Sequence, residues 1–259
     1  MSVPLMSICI PTYEMHGKGL VFLQHALESI KKQEFTQFEV IVSDNSKDDL
    51  IKHYCETVRE IPNLIYVRNN QKFGISANIN FAIRHAQTEL VKILFQDDFL
   101  YGNDALGKLY RVWKDHDRRW LLSASEHSHD GKNLYFTMIP KYHNKIYLGS
   151  NTISSPSVLM LSRKDAPVFD ESLTWLMDCD YYKMCFDKLG LPAICEEVTV
   201  VNRVGAHQVS QTGVTRKLQL AEVKYIMQKY ASEVTLYDRI KTFKYRLPGW
   251  LYGVARNWT

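Results

Sequence analysis

The first hundred residues alternate short apolar runs with amphipathic segments, and that alternation limits the fold more than any other feature. "LMSICIPTY" (5–13), "FEVIVSDNSKDD" (38–49), "NLIYVRN" (63–69) and "ELVKILFQDD" (89–98) read as strands. Between them, "GLVFLQHALESIKKQ", "DLIKHYCETVREI" and "GISANINFAIRHAQ" read as helices, the first with Leu20, Leu23, Leu27 and Ile30 at helical spacing. Strands that are apolar along nearly their whole length are covered on both faces. The order therefore predicts an α/β fold, a mostly parallel sheet flanked by helices. In such sheets ligands bind beyond the carboxyl ends of the strands. Three of the four strands end in Pro11-Thr12-Tyr13, Asp44-Asn45-Ser46 and Asp97-Asp98, which points to one shared site.

The second half is less regular. "ALGKLYRVWKDH" and "DCDYYKMCFDKLG" read as helices, while "WLLSASEH", "SVLMLSR" and "EEVTVVNRV" read as strands. Residues 126–152 are expected to form loop or a short hairpin. From Val214 to Thr259 nine basic residues face three acidic ones, a net of +6 against +4 for the whole chain. That contrast sets an expected boundary near Gly213, with residues 1–213 as one domain and 214–259 as a basic, aromatic helical extension.

Composition removes several classes. No run approaches the roughly 20 apolar residues that span a bilayer. The N-terminus lacks a basic segment followed by a long apolar one, so a cytoplasmic protein is expected. Cysteines 9, 55, 179, 185 and 195 have no CxxC spacing, which argues for reduced thiols and against a disulfide framework or a zinc ribbon. The mild net charge does not call for nucleic acid.

Asp97 and Asp98 pose the chemical question. Adjacent carboxylates at the mouth of a buried strand repel, and burying them is costly unless a cation or hydrogen-bond donors compensate. From the residues alone, a capped turn and a cation site both stand.

Six segments in order resemble the family 2 glycosyltransferases of the GT-A fold, from about residue 6 to about residue 212. They are "SICIPTYE", "FEVIVSDNSKDD", "NNQKFGISANINFAI", "LFQDDFL", "FDESLTWLMDCDYYKMCFDKLG" and "NRVGAHQVSQTG". Three positions depart from the family pattern: Glu14 stands for Asn, Phe95 for an acid, and Met177 for the Glu of a Glu-Asp pair.

The resemblance implies an inverting transfer from a nucleotide-diphosphate sugar to a glycan hydroxyl. Residues 1–100 would then bind the donor and 101–213 the acceptor. Pro11, Thr12, Tyr13, Glu14, Asp44, Gly74, Asn80, Gln96 and Asp97 are expected on the donor, with Asp44 reading the nucleobase and Asp97 the ribose or sugar. A divalent Mn²⁺ or Mg²⁺ would bind Asp98 and His207, and Trp175 would stack on the acceptor. Asp178 is the expected general base. Asp180, its competitor, diverges from it by about 200° on a helix.

The tail segment "YDRIKTFKYRLPGWLYGVARNW" interleaves cations with aromatics, which suits contact with an anionic membrane surface over 239–259. Residues 216–233 are expected to pack on the catalytic domain or on another subunit. The expected partner is then a lipid-linked acceptor of O-antigen or capsule type, at the inner face of the cytoplasmic membrane. Two alternatives remain: a nucleotidyltransferase, on the faint loop Gly17-Lys18-Gly19, and a donor-binding module without turnover, on Phe95 and Met177.

Overall fold

The computed structural model describes residues 3–116, 119–205, 208 and 213–246. Strands β1 (Met6–Thr12), β2 (Phe38–Asp44), β3 (Leu64–Arg68) and β4 (Leu90–Ile93) alternate with helices α1 (Gly19–Lys31), α2 (Leu50–Thr57) and α3 (Ile75–His85), as the apolar pattern predicts. β1 pairs in parallel with β2 on one side and β4 on the other, and β2 pairs in parallel with β3. The order 3-2-1-4 therefore reverses direction between β1 and β4. Such a reversal opens a crevice at the carboxyl ends of the two strands.

The remaining strands extend the sheet. They are β5 (Phe99–Leu100), β6 (Trp120–Ser128), β7 (Leu134–Met138), β8 (Leu159–Ser162) and β9 (Ala193–Arg203). The strand order is β3-β2-β1-β4-β8-β6-β9-β5, with β7 hairpinned onto β6. β8 is antiparallel to both β4 and β6, so the sheet is mixed beyond β4. The turn and second strand of that hairpin fall within residues 126–152, where a loop or hairpin is expected.

Two apolar layers sandwich the sheet. Ile8 and Ile10 of β1 face α1, α2 and α4 (Ala105–Asp115) through Leu23, Leu27, Ile51 and Leu106, while Cys9 between them faces the other layer. That opposite layer holds Ile79 of α3, Tyr181 and Cys185 of α5 (Met177–Leu189), and Val223 and Ile226 of α6 (Arg216–Lys229). Fully apolar strands are thus the ones with helices on both sides, as their composition requires. The last described helix, α7 (Leu236–Thr242), starts with a reciprocal cap between Thr235 and Asp238. The five cysteines are free and buried.

Candidate active site

A cavity of about 730 Å³ opens at the β1/β4 crevice. Its donor-side wall includes Pro11, Thr12, Tyr13, Glu14 and Gly74, its floor Gln96, Asp97 and Asp98, and its far wall Trp175 and Asp178. Ten of the expected site residues therefore meet in one space, although they come from segments up to 167 positions apart.

One glutamine pins the residue that follows β1. Gln96 accepts from the Tyr13 N–H at 2.9 Å and donates to the Tyr13 carbonyl at 3.0 Å and the Gly19 carbonyl at 2.6 Å. Gly19 is required there, because any Cβ would overlap the Tyr13 carbonyl oxygen. The Gly17-Lys18-Gly19 loop is thus a close-packing device. Burial, with the charges of Asp97 and Glu14, raises the Tyr13 phenol above its usual pKa.

The two aspartates of the floor have different settings. Asp98 is almost fully buried and acts as a hub. Its Oδ2 accepts from Ser157 Oγ (2.6 Å), Asn202 Nδ2 (2.8 Å) and Ser155 Oγ (3.1 Å), and its Oδ1 accepts from the Arg203 N–H at 2.9 Å. Burial and the neighbouring Asp97 charge push its pKa up to about 7 against those hydrogen bonds. Asp97 is half-buried and borders the cavity. Arg203 braces that turn: its Nε donates to the Asp97 carbonyl at 3.2 Å while its guanidinium carbon lies 5.1 Å from the Phe22 ring centroid and 5.6 Å from that of Phe99.

Carboxylate oxygens of this kind suit a hard divalent cation. Among the described residues no group of three or more His, Cys, Asp or Glu is gathered for one. A cation held by the floor would share its shell with water and ligand phosphate, the usual mode for Mg²⁺. The donor set fits that mode. With three donors on Oδ2, Oδ1 of Asp98 keeps the greater capacity to accept a further partner. His207 lies outside the described residues.

Two donor-side expectations are corrected by their surroundings. Asp44 does not border the cavity; it is fully buried and accepts from Ser46 N–H and Tyr66 Oη, each at 2.8 Å, with Arg68 3.6 Å away. Asn45 takes the bordering place. Asn80 faces away, donating to the Phe169 carbonyl and to Glu171 while accepting from the Phe169 N–H. Asn78, two residues earlier on α3, borders the cavity and ties β1 to β2 through the Thr12 and Ser43 carbonyls at 3.0 and 2.9 Å. Positions two apart on a helix point about 200° away from each other, so only one of the two asparagines can face the strand ends.

On the far wall, Asp178 sits in the first turn of α5. It accepts from Asn151 Nδ2 at 2.6 Å and from the Cys179 N–H at 2.7 Å. Burial raises its pKa despite those bonds. Asp180 is turned into the protein, where Lys229 and Tyr230 bind it at 2.8 and 2.7 Å. Trp175 borders the cavity and meets the Tyr245 ring edge-on at 5.6 Å. Asn151, Ser155 and Ser157 carry no signal in the sequence, because they lie in an irregular region that reaches the site only through the turn before β8.

Residues 7–166 match the model of the family described as "Glycosyl transferase family 2". The chain is 31% identical over 100 residues to the GalNAc(5)-diNAcBac-PP-undecaprenol beta-1,3-glucosyltransferase of Campylobacter jejuni, covering 38% of this chain and 31% of that protein. It is 22% identical over 226 residues to the putative colanic acid biosynthesis glycosyl transferase WcaA of Escherichia coli, covering 83% and 77%. Residues 1–349 of S. aureus TarS in complex with UDP-GlcNAc superpose with a TM-score of 0.65 at 17% identity, over 93% of this chain and 78% of that one. The fold is GT-A.

Proposed function

Because this chain belongs to glycosyl transferase family 2, we propose that it is an inverting glycosyltransferase that moves a sugar from a nucleotide-diphosphate donor to a hydroxyl of a glycan. The observation that carries this reading is the pairing, across one cavity, of an acidic floor at the β1/β4 reversal with one half-buried carboxyl, Asp178, on the far wall.

The nucleotide lies along Thr12, Tyr13 and Asn45, and Gly74 lets backbone approach it at the start of α3. Asp97, with Oδ1 of Asp98, would hold a divalent Mn²⁺ or Mg²⁺. A bound cation of that kind neutralises charge on the leaving diphosphate. Asp178 takes the proton from the acceptor hydroxyl as that oxygen attacks the anomeric carbon. The carbon–oxygen bond to the diphosphate breaks on the opposite side, so the configuration inverts. Asn151 keeps the Asp178 carboxylate aimed while its second oxygen rests on the helix N-terminus. Trp175 gives the acceptor sugar an apolar face.

The acceptor is proposed to be lipid-linked. Outward on α7 and the turn after it, Leu236 (75% exposed), Tyr237 (69%), Ile240 (65%) and Phe243 (53%) share one face, while Asp238 and Thr242 face the protein. Arg239 and Lys241 flank that stripe, which suits an anionic lipid surface. Among the described residues no helix is long and apolar enough to cross a membrane, so the contact proposed is peripheral. Residues 247–259, the rest of the expected membrane segment, lie outside the described residues. The Campylobacter relative, whose name gives an undecaprenol-linked substrate, supports the same acceptor class.

Calorimetric titration of UDP, GDP and dTDP, each with Mn²⁺ and with EDTA, tests the donor half. One nucleotide binding in a metal-dependent way is expected. Binding of none of the three removes the basis of the proposal.

A further inference from the structure

Helix α6 grips the segment that carries Asp178. Glu222 is almost fully buried, and its carboxylate accepts from three successive backbone N–H groups: Thr174 (2.8 Å), Trp175 (3.0 Å) and Leu176 (2.8 Å). Those amides immediately precede α5, and Leu176 is the residue at its N-cap, which has no capping side chain of its own. Unpaired amides at a helix start need an acceptor, and a carboxylate is the strongest neutral-pH choice. Seven residues further along α6, Lys229 Nζ reaches Asp180 and Asp170 at 2.8 and 2.9 Å, and Tyr230 Oη donates to Asp180 at 2.7 Å. The middle and the C-terminal end of α6 therefore hold the two sides of the turn in which Asp178 lies.

We infer that Glu222 is a positioning residue for the transfer reaction: from outside the family-matched segment, it fixes the Thr174–Leu176 backbone and so aims Asp178 and Trp175 into the cavity. The inference rests on the proposed glycosyl transfer with Asp178 as base. It makes residues 216–230 a working part of the acceptor side. Thr174 and Trp175 themselves border the cavity, so a loosened backbone there displaces the acceptor wall as well as the base. General-base catalysis depends on hydrogen-bond reach between base and proton, hence small displacements carry large rate effects.

The test uses the full chain, with UDP-GlcNAc and GDP-mannose hydrolysis as the turnover probe, hydrogen exchange at residues 174–176, and calorimetric binding of UDP and GDP. Variants are Glu222→Gln, Glu222→Asp and the packing control Val223→Ala, the next buried residue on the same helix. In Glu222→Gln we expect faster exchange at 174–176, a fall in kcat of about tenfold or more, and nucleotide Kd within about twofold of wild type. Glu222→Asp should recover part of the rate. Val223→Ala should lower Tm with kcat little changed, because it removes packing without touching the clamp. Unchanged exchange or unchanged kcat in Glu222→Gln overturns the inference. So does a loss of kcat in Val223→Ala that tracks its loss of Tm as closely. A wild-type protein that binds UDP or GDP but hydrolyses neither of these donors overturns the glycosyl-transfer reading and the catalytic role of Glu222 with it. Faster exchange in Glu222→Gln would then leave the residue a purely structural clamp.

Discussion

Gln96 holds Tyr13 by both of its backbone groups, accepting from the N–H at 2.9 Å and donating to the carbonyl at 3.0 Å. One side chain from the turn after β4 thereby fixes the residue that follows β1, across the gap where the donor is proposed to bind. Replacing Gln96 by Ala leaves the Tyr13 groups and the Gly19 carbonyl without that partner, at about 1–3 kcal/mol for a buried group left unsatisfied. Nucleotide affinity in calorimetry should fall by roughly tenfold or more. Affinity equal to wild type would show that the clamp does not shape the donor site.

Asp97 and Asp98 should fail in different ways. Asp97→Asn is expected to abolish the metal-dependent increment in nucleotide binding while leaving Tm within a few degrees. Asp98→Ala strips four hydrogen bonds from one buried centre and removes the acceptor shared by Ser155, Ser157, Asn202 and the Arg203 amide. Its cost should be about 3–5 kcal/mol, by analogy with the breaking of a buried charged network. Chemical denaturation of both variants beside the titrations checks the split. A stable Asp98→Ala protein would contradict the hub.

Asp178→Asn should reduce turnover by about 10²–10⁴, the span of general acid–base contributions, with nucleotide Kd unchanged. Steady-state kinetics and calorimetry on one preparation decide it. Rates within a factor of a few of wild type would remove Asp178 from the role of base.

The pH dependence follows from the same carboxyl. Burial raises the Asp178 pKa above its ordinary value of 3.8, and catalysis needs the ionised form. The acid limb of kcat/KM should therefore lie above the ordinary carboxylate range and disappear in Asp178→Asn. For stability the sign is opposite to that of a salt-bridged acid. The folded state binds this proton more tightly than the unfolded one, so ionisation is a cost that is fully present above the raised pKa. It is relieved as pH falls through that value toward 3.8. Asp178→Asn is thus expected to raise Tm at neutral pH while it lowers activity. A lower Tm would mean that the bonds from Asn151 and Cys179 outweigh burial.

Co-sedimentation with vesicles checks the α7 stripe. Binding to phosphatidylglycerol vesicles at low salt, with little to phosphatidylcholine, is expected, and Ile240→Glu should weaken it by placing a charge in the centre of the apolar face. A variant that sediments as well as wild type would point to another occupant of that face, such as a second copy of this chain.

The sequence alone determined the α/β order, because fully apolar strands and helical periodicity are local signals that need no knowledge of long-range contacts. It also located most of the candidate site. In a parallel sheet the strand ends lie on one edge, so polar residues at the ends of β1 and β4 meet by topology. What it could not resolve is which of two neighbouring polar residues faces inward. Asp44 ends its strand as expected, yet Tyr66 and Arg68 of β3 claim its carboxylate and Asn45 takes the cavity. Asn78 and Asn80 are separated only by the roll of α3 against β1 and β2, and Asp178 and Asp180 only by where α6 docks. Those choices depend on partners 20 to 100 positions away. The expected boundary at Gly213 was read from charge, a surface property. The buried Glu222, Val223 and Ile226 that bind α6 to the core are too few to alter that average. Side-chain orientation is decided by packing, and packing exists only once the chain has folded.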